Sequence, residues 1–252
     1  MFIDAHNHID FYRDDEIRGI IGRAREARVL VIVNNATNPG NFQRVIDLSK
    51  EYKEIKVALG IYPIDALSLS DNEISKQIEF IKENNEKIVA IGEVGLDFKE
   101  DQDNWEKQRK VFNKFVELSI ELNKPVIVHS RKAELECIAI LEKLNAKKVI
   151  MHCFSGKLSL VKRIIDNKWT LTIPTSVKNA EHFQKVIEMT PITQLLCETD
   201  SPYLHPDKKN NNEPSLIIES YKKIAEIKKI SLKEVEKLLE KNYNNLFNAE
   251  DE

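Results

Sequence analysis

Along this chain, short apolar runs rich in Val and Ile alternate with longer stretches whose apolar positions recur three or four residues apart. The runs are Phe2 to Ala5, Val29 to Val33, Ile55 to Leu59, Ile88 to Ile91, Val126 to Val128, Val149 to Met151, Trp169 to Ile173 and Gln194 to Cys197. Most are apolar at successive positions, as strands of a parallel sheet covered on both faces must be. The stretches between them read as helices. Asp71 is placed to cap one whose Ile74, Ile78 and Ile81 share a stripe, and Phe112, Phe115, Val116, Ser119 and Leu122 form another. The last helix opens on Ser231-Leu232-Lys233-Glu234, a capping box, and carries Val235, Leu238, Leu239 and Leu246. Eight β-then-α units predict an α/β fold, a (β/α)8 TIM barrel. No linker or low-complexity tract divides it, so 1–252 reads as a single domain. The polar stretch from His205 to Pro214 reads as a loop after the eighth strand.

The rival architecture, an open doubly wound sheet, usually carries a glycine-rich turn after its first strand. Here that position holds Asp4-Ala5-His6-Asn7-His8, and none of the seven glycines forms a phosphate-cradling motif.

Composition then narrows the partners. With Lys+Arg 38 against Asp+Glu 41, the chain has no global positive field, so any nucleic-acid contact must use a local patch. Arg131, Lys157, Lys178, Lys208 and Lys209 are candidates for such a rim. The three cysteines, Cys137, Cys153 and Cys197, form neither a disulfide framework nor a CxxC zinc pattern, which suits a reducing interior. There is no signal-peptide pattern and no apolar stretch of roughly 18 residues. The expectation is a cytoplasmic protein with no membrane contact and no obligate protein partner.

Chemistry concentrates where the strands end. In an extended segment residues two apart share a face, which would align Asp4, His6 and His8. Glu93 follows strand four, His129 strand five, His152 strand six and Asp200 strand eight, so four of the six histidines sit at strand ends. The C-terminal ends of barrel strands are where such folds build active sites. Imidazole and carboxylate together bind borderline divalent ions, and a carboxylate can bridge two of them; Glu93 is the natural bridge. Water on such an ion loses its proton near neutral pH, and Asp200 is the candidate base that accepts it.

In order and spacing, these segments resemble the TatD family of metal-dependent deoxyribonucleases, within the amidohydrolase-like barrels. The resemblance covers essentially the whole chain. It rests on His6-Asn7-His8, Gly92-Glu93-Val94-Gly95-Leu96-Asp97, Pro125-Val126-Ile127-Val128-His129-Ser130-Arg131, His152-Cys153-Phe154-Ser155-Gly156, Glu198-Thr199-Asp200-Ser201-Pro202-Tyr203-Leu204 and Asn212-Glu213-Pro214. It implies a phosphodiesterase with one or two divalent ions (Zn, Mn, Co or Mg), commonly a 3′ exonuclease on single-stranded DNA ends. Position by position, it implies that His6, His8, Glu93 and Asp200 hold a first metal and that Glu93, His129 and His152 hold a second. Arg131 and the loop of Glu213 would lie near the substrate.

Two departures bear on that implication. The family typically carries a histidine before the proline after strand three, where this chain reads Gly60-Ile61-Tyr62-Pro63-Ile64-Asp65. Tyr62 would replace it as a substrate-side hydrogen-bond donor but cannot serve as an acid at neutral pH. Lys132 stands where the family has an acid, either contacting phosphate or facing solvent.

Structural readings compete with each functional one. Glu93 would otherwise pair with Arg131, Lys132 or another base, Asp200 would be turn chemistry, and Cys153 and Cys197 read as small buried side chains. His182 reads as surface and His205 as a solvated loop residue. Tyr203 and Phe154 are candidates for base stacking or for packing. The alternative activity is a metal-dependent ester, lactone or amide hydrolase of the same superfamily, including one acting on aminoacyl-tRNA esters. Phosphotriesterase- and lactonase-like relatives generally have a lysine bridge where this chain has Glu93. A third reading, a degenerate barrel that binds without turnover, fits poorly with an intact ligand set.

Overall fold

The computed structural model describes residues 1–208 and 211–247, and Lys209 lies outside them. Among the described residues one parallel sheet of eight strands runs in sequence order: β1 (Phe2–Asn7), β2 (Val29–Ala36), β3 (Ile55–Leu59), β4 (Ile88–Gly95), β5 (Val126–His129), β6 (Val149–Met151), β7 (Thr170–Pro174) and β8 (Leu195–Glu198). Helices α1 (Asp14–Glu26), α2 (Phe42–Glu51), α3 (Asp71–Glu83), α4 (Trp105–Glu121), α5 (Glu134–Lys143), α6 (Leu158–Asp166) and α7 (Glu181–Met189) follow the first seven strands in turn. After β8 come α8 (Ile218–Lys228) and α9 (Leu232–Phe247). The expected TIM barrel is the observed fold.

Each predicted strand is present. Several run further than their apolar runs, into Asn7, Asn34-Asn35-Ala36, Gly95 and His129, because the polar residues at these ends still take part in the ladder. The cap of α3 is Ser70, one residue before the expected Asp71: its hydroxyl accepts from Glu73 N, while the Glu73 carboxylate accepts from Ser70 N. Such a reciprocal cap satisfies two otherwise orphaned donors and contributes about 1 kcal/mol. At α9 the expected box is present on one side, with Ser231 Oγ accepting from Glu234 N at 3.2 Å.

Two buried clusters divide the apolar interior. The larger fills the space between sheet and helices. The smaller lies inside the barrel and comprises Ile3, Ala5, Val31, Val33, Ala58, Ala90, Ile127, Ile150 and Leu196, with Tyr243 of α9. Leu246 and Phe247 of α9 pack against this cluster beside Val89 near the start of β4, so α9 forms the floor of the barrel.

Two slips of register shape the opposite end. Between Asp4 and Asn7, β1 advances three residues while β2 advances two, and β4 does the same against β5 between Ile91 and Val94. Simple alternation therefore fails on β1. Asp4 does not line up with His6 and His8; its buried carboxylate accepts from Thr199 N at 2.8 Å and from Asn7 Nδ2 at 3.2 Å. In β4 the slip spans Gly92 and Glu93. A Cβ on Gly92 would meet Ile127 Cβ at 2.7 Å, and Gly95, at φ 149°, lies against the His129 carbonyl. These two glycines let β4 approach β5 closely enough to present Glu93.

The barrel closes between β1 and the segment after β8. Asp200 N donates to His6 O at 3.0 Å and His8 N to Ser201 O at 2.9 Å. Lower down, the Tyr221 hydroxyl of α8 accepts from Ile3 N at 3.1 Å.

Candidate metal centre at the mouth of the barrel

The C-terminal ends of the strands bring His6, His8, Glu93, His129, His152 and Asp200 together. His6 Nε2 and His8 Nε2 stand 3.1 Å apart. Glu93 Oε2 lies 3.5 and 3.4 Å from these two nitrogens, and Asp200 Oδ1 also lies 3.5 and 3.4 Å from them. Donors bound at about 2.1 Å around a tetrahedral ion stand about 3.4 Å from one another, so these spacings suit one cation. The other Glu93 oxygen, Oε1, faces His129 Nδ1 at 2.8 Å and His152 Nε2 at 3.5 Å. One carboxylate thus serves two donor groups, His6, His8 and Glu93 on one side and Glu93, His129 and His152 on the other.

The rings are held by partners behind them. His8 Nδ1 is 2.8 Å from Asn35 O, which makes Nδ1 the donor and leaves Nε2 free as a ligand. His152 Nδ1 is 3.0 Å from Glu198, a fully buried carboxylate. His6 stacks on His152, with centroids 3.8 Å apart, and its Nδ1 is buried without a hydrogen-bond partner. Only its Nε2 engages other polar groups in the cluster.

Charge follows the same logic. Burial pulls the His8 and His152 pKa values down, yet the carboxylates around them prevail: Asp200 and Glu93 raise His8 to about 9, and Glu198 raises His152 to about 10. Burial pushes Glu93 and Asp200 upward, but hydrogen bonds and charge from the histidines hold both below the usual carboxylate range. The carboxylates demand positive charge at this point. Protons on imidazoles supply it when no cation is present, and a divalent cation would displace them. Donor type, spacing and charge all fit such an ion.

Asp97, visible in the sequence only as part of a motif, joins the site residues to one another. Fully buried, it accepts from Tyr62 Oη at 2.6 Å, His129 Nε2 at 2.9 Å, Arg131 Nε at 2.9 Å and the amides of Lys99 and Glu100. Its pKa is pushed upward by burial, but the His129, Arg131 and Tyr62 bonds hold it far below the carboxylate range. The competing partner expected for Glu93 is therefore taken: Arg131 pairs with Asp97 and Glu100. Tyr62, which lacks the family's histidine chemistry, spends its hydroxyl on the same carboxylate.

A cleft of about 520 Å³ opens above these groups, lined by residues that include Phe11, Thr37, Tyr62, Asp65, Arg131, Tyr203 and Leu204. Tyr203 is exposed at this mouth, whereas Phe154 is buried and serves packing. Glu213 does not line the cleft; Arg23 Nε donates to it at 2.9 Å and Ser215 Oγ also bonds it, so it secures the loop to α1. Lys132 faces solvent, and Lys178 pairs with Asp207. His182, expected at the surface, is half-buried with Nε2 3.1 Å from Phe154 O.

The model of the TatD-related DNase family matches residues 3–248. The chain belongs to the TatD family. It is 35% identical to an uncharacterized metal-dependent hydrolase of Methanocaldococcus jannaschii, over 96% of this chain and 94% of the relative. It is 33% identical to human deoxyribonuclease TATDN3, over 97% of this chain and 94% of that protein. Among solved structures, the TatD homolog YjjV of Escherichia coli superposes with a TM-score of 0.92 at 27% identity, covering 99% of this chain and 98% of the other. This TatD chain thus joins a barrel common to its relatives to His and carboxylate groups suited to a divalent metal. Among its described residues no helix is long and apolar enough to cross a membrane.

Proposed function

We propose that this TatD protein is a divalent-metal-dependent phosphodiesterase that removes nucleotides from the 3′ end of single-stranded DNA. The observation that carries the reading is Glu93, whose two oxygens face two separate groups of imidazoles beneath an open cleft. His6, His8, Glu93 and Asp200 hold one ion, and Glu93, His129 and His152 a second. Bound there, divalent ions supply Lewis acidity to a phosphoryl oxygen and lower the pKa of water. The chain's own residues do the rest. Asp200, kept ionised by the histidines around it, accepts the proton of the attacking water. Arg131, aligned by Asp97 and still 42% exposed, offers guanidinium N–H groups to the phosphate. The DNA substrate is supported by the deoxyribonuclease name of the human relative. The single-stranded end is supported by the cleft, whose volume lies in the range of about 300–1,000 Å³ that encloses one small molecule. A space of this size favours one strand end over a duplex.

The test is to incubate purified protein with 5′-labelled single-stranded DNA across Zn, Mn, Co and Mg, with EDTA as control. Stepwise shortening from the 3′ end in metal alone is expected. No cleavage with any metal, alongside turnover of a lactone or aryl ester, would overturn the reading in favour of ester hydrolysis.

A further inference from the structure

The two walls of the cleft differ in chemistry. Thr37, Tyr62, Asp65 and Arg131 make one wall polar, while Phe11, Tyr203 and Leu204 make the other apolar. Phe11 is 41% exposed and Tyr203 55%. Leaving two large rings in water at one spot forgoes burial that the fold grants most of its other aromatics, so their placement calls for an occupant.

Their placement is also tied to the metal ligands. Phe11 lies three residues after His8, with Phe11 N donating to His8 O at 3.1 Å; Tyr203 lies three residues after Asp200, with Tyr203 N donating to Asp200 O at 2.8 Å. The same one-turn device sets each ring at a fixed distance from a donor of the metal centre. Phe11 lies nearly parallel to His8, at 4.9 Å and 13°. Tyr203 stands at 83° to Phe11 with centroids 6.5 Å apart, so the two rings form a corner. A flat ring stacked on one member of a corner presents its edge to the other, an arrangement aromatic groups favour.

We propose that Phe11 and Tyr203 form a platform that seats the terminal nucleobase of the strand while its phosphate reaches the metal centre. The inference rests on the phosphodiesterase reading and adds how the substrate is held. Among the described residues no lysine or arginine lines this wall, which disfavours it as a phosphate site and leaves the base as the part of a nucleotide it suits. Stacking reads the π-face that all bases share, so the platform requires a base without selecting its identity.

Two oligonucleotides identical except for a normal or an abasic 3′-terminal residue test this. The expected result is a kcat/KM about 5- to 150-fold lower for the abasic end, the range found for one base on an aromatic side chain. In Phe11→Ala/Tyr203→Ala the ratio should collapse towards one, and Tyr203→Phe should keep it. Equal cleavage of both ends by the unaltered protein, or an unchanged ratio in the double variant, would overturn the platform. Fluorescence anisotropy of the same oligonucleotides on Asp200→Asn separates this from the activity itself. If no DNA is cleaved, the phosphodiesterase reading falls. The platform then stands or falls on whether tighter binding of the base-bearing end disappears with the two rings.

Discussion

The floor and the mouth of this barrel are built from the same strands by opposite rules. At the floor, Ile3, Val31, Ile150 and Leu196 meet Tyr243 with no charged side chain among them, and side-chain volume decides the fit. At the mouth, a few residues further along those strands, four histidines and carboxylates crowd within hydrogen-bonding range. Stability there depends on the balance of charge. The transition takes only two or three residues, and two of the sheet's register slips fall within it, at Asp4 to Asn7 and at Ile91 to Val94. A regular ladder would have continued the apolar alternation to the end of each strand. The slips break it and turn His6 and Glu93 towards each other.

Each end should therefore be open to damage without the other. The largest effect belongs to Asp200→Asn, which should lower kcat by about 10²- to 10⁴-fold. The variant should still fold, as circular dichroism would show, and an active variant would remove Asp200 as the base. At the floor, Tyr243→Ala should cost about 3–5 kcal/mol in denaturant unfolding, through the transfer and cavity terms, while kcat of the folded enzyme is unchanged. Adding divalent metal at 100-fold its Kd should stabilise the native and the Tyr243→Ala proteins alike, by about 2.7 kcal/mol. A floor variant that lost this increment would mean that the two ends are coupled. The smallest effect is at the boundary: Asp97→Asn should weaken metal binding about 10- to 100-fold by calorimetry, since Asp97 orients His129 from behind. Unaltered affinity would reduce Asp97 to a support for its own loop.

The floor was more legible in the sequence than the mouth. All eight strands could be read from apolar runs, because burial on both faces leaves no other composition. Their polar ends could not, since Asn34, Asn35 and Gly95 look like loop residues until their ladder partners are known. Ser70 and Asp71 are adjacent and chemically equivalent as caps, and only the spacing to Glu73 chooses between them. The six residues that meet at the mouth were legible because their side chains are costly to bury without purpose. Asp97 was equally costly but its partners, Tyr62, His129 and Arg131, lie more than thirty residues away in both directions. Glu213 misled for a related reason: its partner, Arg23, is 190 positions distant. Phe11 left no signal, as an aromatic after a strand is ordinarily part of the core.

The seam between β1 and the segment after β8 has a consequence for how the protein comes into being. The backbone bonds that close the cylinder, His6 O with Asp200 N and His8 N with Ser201 O, join residues whose side chains also meet at the proposed metal centre. During synthesis the first histidines leave the ribosome long before residue 200 exists, and nothing in the early chain can stand in for it. Contacts of such sequence separation form late in folding. A hydrolase assembled this way has no complete site as a nascent chain, and the site forms only once the last strand has docked beside the first.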